Sequence, residues 1–302
     1  MSSPLAWVES PLQVLGAAEW AHARGTRVDV AGRLTAQVEN TVNDVASRGA
    51  LFGEQVGFYG IPWRMLSRHE HWLVGDGFSG QFRLAAAVLR PRRITFLDDG
   101  LNAVAFADSL TGTRRYARPR AGREGAVLRK VTPLALDLIQ LRAGRGTVEL
   151  FTAFPLGDAR LARVHSLGAT VSRHGFEWIR GTRIARPLDA DRVILGTARV
   201  ADGLLDRSDY VAWVRRQAQG SPAAYLPHRR ECPQALAEIA RLAGVTVVHT
   251  GLPVELVLAA QDRPREIVTL PSSAAVTLRR VLAGSESVVR EYELDERPKL
   301  AL

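Results

Sequence analysis

Two adjacent carboxylates, Asp98 and Asp99, leave a short apolar run and are followed at once by Gly100. If such a pair is desolvated, two like charges that close cannot both ionise cheaply, so one of them is a candidate general base. The same tripeptide also serves as plain turn chemistry. Further along, Tyr225-Leu-Pro-His228-Arg229-Arg230-Glu231 sets an imidazole beside two guanidinium groups at a strand end. Histidine exchanges a proton near neutral pH, and flanking arginines favour an anionic phosphate at that spot; the other reading is an ordinary loop histidine. Leu270-Pro-Ser272-Ser273-Ala-Ala places two hydroxyls at a helix start, where free amides and the dipole bind phosphate and where serine also simply caps. In His249-Thr-Gly-Leu-Pro253-Val-Glu255 a carboxylate after a strand fits a ribose hydroxyl pair, or equally a helix start complemented by charge.

These residues need elements to hold them, and the pattern supplies strands and helices in alternation. Leu5 to Glu9 is an apolar run of strand length. Ser10 follows as a helix cap, Pro11 suits the first helical position, and Gln13 sits where a capping box requires it. Gly25 stops that helix and Arg27 to Ala31 begins the next strand, which makes a β-α-β unit. Strands are expected at His71 to Gly75, Arg93 to Leu97 and Thr147 to Phe151, with a helix at Gln81 to Leu89. Arg186-Pro187-Leu188-Asp189 reads as a linker, so the domains are expected at 1–187 and 188–302. The second domain repeats the scheme, with strands at Arg192 to Gly196, Ala223 to Pro227, Val245 to His249 and Arg265 to Leu270. Its helices are expected at Asp209 to Gln217, Pro233 to Ala243, Glu255 to Ala260 and Ser272 to Leu282. Continuous apolar strands alternating with helices indicate parallel sheets covered on both faces. In such sheets ligands bind beyond the carboxyl ends of the strands, where all four motifs fall.

Composition removes other classes. The 302 residues are 46% hydrophobic and 24% charged, which excludes disorder and fibres. One cysteine, Cys232, excludes a disulfide framework and a Cys-rich zinc site, and a reducing, cytoplasmic setting is expected. No secretion signal is visible, and no apolar run reaches the roughly 18 residues of a membrane span. Forty Lys+Arg against 31 Asp+Glu give +9, nearly all of the excess being arginine, so partners should be anionic. Much of that charge lies between Arg114 and Lys130, as a solvated loop or as a surface for an anionic acceptor or lipid headgroups. No nucleic-acid-binding signature accompanies it.

In combination the motifs resemble the bacterial sialyltransferases of the two-Rossmann-lobe, GT-B type, especially the lipooligosaccharide sialyltransferases and capsular polysialyltransferases. Those families share an Asp/Glu-Asp/Glu-Gly motif, a His-Pro motif and a Ser-Ser/Thr motif in that order. Here the first reads Asp98-Asp99-Gly100 and the third Ser272-Ser273, while His228 is followed by Arg229 and preceded by Pro227. Val8-Glu-Ser-Pro-Leu-Gln13 is similar to the group's first strand and turn.

The resemblance implies an α/β GT-B fold, two Rossmann-like domains facing a central cleft. It also implies inverting, metal-independent transfer of sialic acid or a related nonulosonic acid from its CMP conjugate to an acceptor hydroxyl, with no cofactor, in polysaccharide biosynthesis. Asp98 would be the base and Asp99 its alternate. His228 would protonate or hydrogen-bond the departing CMP phosphate, Ser272 and Ser273 would hold it with Arg229 nearby, and Glu255 would bind the ribose. Gln13, Gly100 and the basic stretch are candidates for acceptor binding. The expected partners are the nucleotide-sugar donor, a glycan or other anionic acceptor, and a peripheral membrane surface at the inner face. Two other readings remain at this stage: a transferase of the same architecture with a different nucleotide sugar, and a non-catalytic binder of anionic polymers.

Overall fold

The computed structural model describes residues 3–98, 100–119, 125–182, 188–259, 261 and 263–294. The chain divides into two compact units, Met1–Thr182 and Arg183–Leu302. The linker residues Arg186 and Pro187 lie outside the described residues.

The first unit runs β1 (Leu5–Val8), α1 (Pro11–Arg24), β2 (Val28–Arg33), α2 (Ala36–Ser47), β3 (Phe52–Phe58), α3 (Trp63–Leu66), β4 (His71–Val74), α4 (Gly80–Leu89), β5 (Arg93–Phe96), α5 (Asn102–Leu110), α6 (Ala126–Gly144), β6 (Val148–Thr152), α7 (Asp158–Ser166), β7 (Thr170–Arg173) and α8 (Glu177–Gly181). Its seven strands are parallel in the order β3-β2-β1-β4-β5-β6-β7. The central strands are continuous apolar runs because both of their faces are covered. Leu5 and Trp7 of β1, Trp72 and Val74 of β4, and Ile94 and Phe96 of β5 enter one cluster. The intervening Ala6, Val8 and Leu73 are buried as well.

The second unit runs β8 (Arg192–Leu195), α9 (Arg207–Gln217), β9 (Ala223–Leu226), α10 (Pro233–Ile239), β10 (Val245–Val247), α11 (Val254–Ala259), β11 (Glu266–Thr269), α12 (Ser273–Val281) and β12 (Val288–Glu291). Its parallel order is β10-β9-β8-β11-β12. Alternation along β8 shows both faces at work: Ile194 packs with Tyr210, Trp213 and Tyr225, whereas Val193 and Leu195 pack with Leu226 and Leu278. Counted from its own first strand, the first sheet reads 3-2-1-4-5-6-7 and the second 3-2-1-4-5, both following the doubly wound Rossmann order. The expectation of two Rossmann-like α/β domains in series therefore holds.

Some local expectations change. Ser10 is extended at the start of α1 but its hydroxyl makes no capping bond. Gln13 instead accepts from the Glu9 amide at 2.6 Å, so only the glutamine half of the expected box forms, shifted by one residue. Three strands, β3, β7 and β12, and six helices, α2, α3, α5, α6, α7 and α8, are not read from the sequence. The basic stretch is also not one loop, because Arg129 and Lys130 belong to the 19-residue helix α6, which carries Pro133 in its interior.

Candidate active site

In the first unit the strand order reverses between β1 and β4, and the turns after those two strands touch. A Cβ at Gly75 would lie 2.1 Å from Gln13 Oε1, so the approach demands glycine. Gln13 is buried there and occupied by the Glu9 amide. The next residue, Asp76, turns back to accept from the Phe78 amide at 2.9 Å and pairs with Arg118 of the basic stretch. Tyr116 donates to the Gly77 carbonyl, and Arg83 lies over the Tyr116 ring at 5.0 Å. Part of the arginine-rich segment is thus anchored onto the switch-point loop rather than left in solvent.

Asp98 leaves β5 one strand further on and is 1% exposed. Its Oδ1 accepts from Thr152 Oγ1 at 2.5 Å, and its Oδ2 from the Ala153 amide at 2.6 Å. His174, just past β7, places Nε2 3.2 Å from Oδ2. The imidazole is stacked on Phe151 with centroids 4.6 Å apart, and Phe176 meets it edge-on. Glu19 and Glu177 also lie near enough to His174 to interact with it electrostatically. Glu19 is itself buried, taking the Trp178 and Ile179 amides at 3.1 and 2.9 Å, and burial raises its carboxyl above the ordinary value. Asp98, Thr152, Gly75, Asp76 and Phe106 line a cavity of about 20 Å³, room for about one water. Gly100 has φ +62, the left-handed turn that only glycine adopts freely. Asp99, the alternate base, lies outside the described residues.

In the second unit the reversal falls between β8 and β11. Ser272 caps α12, its hydroxyl accepting from the Ala275 amide at 3.4 Å, and Ser273 opens the helix. Across the switch point, Arg199 donates from its side chain to the Pro271 carbonyl at 2.9 Å and from its backbone amide to Thr197 Oγ1 at 3.3 Å. Arg199 thereby ties the loop after β8 to the serine loop, a role that sequence reading missed because no motif marks it.

His228 follows β9, next to β8 in the sheet. Its Nδ1 accepts from the Arg230 amide at 3.1 Å, which leaves the proton on Nε2. Burial lowers its pKa below the ordinary histidine value, helped by the charges of Arg229 and Arg230. The ring is therefore a neutral donor rather than an imidazolium at pH 7. Arg229 is exposed beside it. Glu231, also unassigned by sequence reading, accepts through one oxygen from both the His228 and Thr197 amides at 3.0 and 3.1 Å. Burial pushes its carboxyl up to about 7. Gly196 makes that clamp possible, since a Cβ there would meet Glu231 Oε2 at 2.1 Å and the His228 amide nitrogen at 2.5 Å.

Glu255 is not beside Ser272 as an open ligand. It is 6% exposed, accepts from Thr277 Oγ1 of α12 at 2.6 Å, and burial raises its carboxyl. Among the described residues no cluster of three His, Cys, Asp or Glu could hold a metal ion, and no helix is long and apolar enough to cross a membrane.

No protein-family model matches the chain, and no curated protein sequence matches it. Solved structures do. UDP-glucose:anthocyanidin 3-O-glucosyltransferase in complex with UDP aligns over 97% of this chain and 82% of its own, at 12% identity and TM-score 0.45. Phytolacca americana UGT2 complexed with UDP-2-fluoro-glucose and pterostilbene aligns over 98% and 81%, at 11% and 0.48. E. coli heptosyltransferase WaaC with ADP-2-deoxy-2-fluoro heptose aligns over 95% and 88%, at 10% and 0.41. The two-Rossmann organisation stated above rests on the strand orders themselves.

Proposed function

We propose that the chain is an inverting, metal-independent glycosyltransferase of the GT-B type. Its donor in this reading is a CMP-linked sialic or related nonulosonic acid, and its acceptor a glycan or other hydroxyl. The observation that carries the reading is the convergence at the second switch point: the capped N-terminus of α12, the Thr197 and Arg199 loop, and the His228 loop all end at the carboxyl edges of three adjacent parallel strands. A helix N-terminus and hydroxyls at such a point suit a nucleotide phosphate. The choice of CMP-sialic acid comes from the motif resemblance.

In this reading Asp98 takes the proton of the acceptor hydroxyl as that oxygen bonds to the anomeric carbon. The bond from carbon to phosphate oxygen breaks with inversion, and CMP leaves carrying the electron pair. The α12 amides, Ser272, Ser273 and the Nε2–H of His228 stabilise the charge that develops on the phosphate. Glu255 reaches a ribose only through the oxygen that Thr277 does not hold. A second reading, a different nucleotide sugar, is favoured by Arg229 standing where the resembled motif has proline.

Calorimetric titration with CMP, UMP, GMP and AMP, without divalent metal, tests both readings. Selective CMP binding, weakened by Ser272→Ala/Ser273→Ala and by His228→Ala, is the expected result and leads to CMP-sialic acid turnover with Asp98→Ala as control. If UMP or GMP wins, the donor assignment falls. If no nucleotide binds, the transferase reading falls with it.

A further inference from the structure

The Glu9-Ser10 turn has no part in the reaction drawn above, yet it organises the carboxyl edge of the first sheet. Glu9 follows β1, Arg33 ends β2, and Ser79 and Gln81 stand at the start of α4 after β4. Arg33 donates to one Glu9 oxygen and, at 3.2 Å, to the Gln81 side-chain oxygen, while Ser79 donates to the other Glu9 oxygen at 3.1 Å. Ser10 and Ser79 both occupy helix cap positions, where a serine hydroxyl normally serves its own helix. Neither hydroxyl caps here. Among the described residues nothing accepts from the Gln81 amide nitrogen. The Glu9 and Arg33 side chains are 18% and 34% exposed, so the cluster is open to solvent.

Two aromatic residues continue the same edge. Val8 pairs with Gly32 and Arg33 with Phe58, which sets Glu9, Arg33 and Tyr59 at the ends of three adjacent strands, about 4.8 Å apart. The Arg33 guanidinium lies over the Phe58 ring at 5.8 Å. Beyond Phe58, Tyr59 is 81% exposed, and Trp63 at the start of α3 is 41% exposed.

The chemistry of this edge selects its ligand. Glu9 and Arg33 neutralise each other, so their pair offers no surplus cation to a phosphate. What remains is a carboxylate that accepts, an amide that donates and a serine hydroxyl that does both, the complement of neighbouring hydroxyls on an uncharged ring. The negative face of an aromatic ring attracts the polarised C–H bonds on the flat side of a pyranose, and Tyr59 and Trp63 offer such faces. Ligands of open α/β sheets bind at this edge. We propose that the carboxyl edge of β3-β2-β1 is a subsite for an uncharged pyranose unit of a glycan. Glu9 and Gln81 take its hydroxyls, Tyr59 and Trp63 cover its C–H face, and Arg33 and Ser79 hold the Glu9 carboxylate in place. Gln13 and Arg118 are turned to the Glu9 amide and to Asp76. That the glycan is the acceptor rests on the transferase reading; its binding needs no donor.

Calorimetry and saturation-transfer NMR on the full chain with lactose, cellobiose, maltose, N-acetyllactosamine and chitobiose test it, with CMP titrated in parallel. At least one of these neutral sugars should bind. Tyr59→Ala and Trp63→Ala should each weaken it roughly three- to tenfold, Gln81→Ala about fivefold and Glu9→Gln at least about tenfold. CMP affinity and far-UV circular dichroism should stay as in the wild type. The proposal is overturned if no neutral sugar binds, if binding is indifferent to Tyr59→Ala and Gln81→Ala, or if only oligosialic acid binds. Phosphatidylserine vesicles that bind the wild type and release Tyr59→Ala would make the aromatic pair a membrane contact and also overturn it. A protein that binds sugar but no nucleotide keeps the subsite and ends the transferase reading, whereas CMP binding without sugar does the reverse.

Discussion

His174 Nε2 stands 3.2 Å from Asp98 Oδ2, with the side chains 3% and 1% exposed. The two residues come from strand ends on either side of β6, whose Thr152 and Ala153 supply the carboxylate's remaining donors. Asp98 is thus held by three strand ends at once. A group so tied is either a preorganised base or a structural bracket, and the two roles separate by measurement. Asp98→Asn should lower CMP-sugar turnover at least about a hundredfold, the scale of a lost general base, while leaving CMP affinity unchanged. His174→Phe should destabilise the protein by about 2 kcal/mol, because a buried carboxylate oxygen loses a donor. If Asp98→Asn shifts the urea midpoint but turns over at the wild-type rate, Asp98 is only a bracket.

The His228 ring is expected to act without changing charge. Its lowered pKa keeps it neutral above the ordinary histidine range, and protonating Nδ1 would break the bond from the Arg230 amide. CMP affinities of the wild type and His228→Gln should therefore run parallel from pH 7 to 9, offset about tenfold by one charge-assisted hydrogen bond. Titration calorimetry in two buffers of different ionisation enthalpy should show no proton uptake by the ring at pH 8. Uptake that vanishes in the variant would restore the imidazolium mechanism.

Glu231 makes the protein sensitive to alkali. Its folded pKa of about 7 lies above the ordinary glutamate value of 4.5, so its contribution to stability is complete below about 4.5 and is lost as pH rises through 7. The loss is about 3 kcal/mol at most. Glu231→Gln keeps an acceptor for the Thr197 and His228 amides and removes the ionisation, so it should be the more stable protein at pH 8.5 and about equal at pH 4.5. Chemical denaturation at both values decides it; equal profiles for the two proteins would rule the effect out.

His71 works in the opposite direction. It donates or accepts at 3.0 Å with Thr95 Oγ1 and meets Trp20 edge-on, and burial, with Arg93 and Arg24 nearby, lowers its pKa to about 4. Stability is complete above about 6.5 and declines as pH falls towards 4, by about 3 kcal/mol at most. His71→Gln should flatten that acid limb in a series of denaturation curves. An unchanged limb would assign the acid sensitivity to other groups.

What could be read in the sequence, and what could not, follows from burial. Central strands such as β8, Arg192–Leu195, show themselves because both faces are covered and every interior residue is apolar. Three of the four edge strands do not: β3 carries Gly53, Glu54, Gln55 and Gly57, while β7 and β12 are largely exposed, so neither apolar continuity nor clean alternation survives; the fourth, β10, is readable from its β-branched run Val245-Thr-Val. Among the site residues, Asp98, His228 and Ser272 were visible because turn chemistry marks strand ends. His174 had only its place after a polar edge strand, and Arg199 acts through a backbone carbonyl that no residue pattern encodes. Glu255 looked like an open ligand because sequence cannot show that Thr277, one element away, already holds its carboxyl.

Gly196 also constrains how this protein can change. Its missing side chain is the space in which Glu231 and the His228 backbone sit, so positions 196, 228 and 231 are not free to vary one at a time. A saturation library at 196 should return glycine alone, and a second library in which 231 is shortened would still meet the His228 amide and the Pro227 Cα. Any lineage that moved the histidine, for a different leaving group, would have to rebuild the whole turn after β9 rather than exchange a residue.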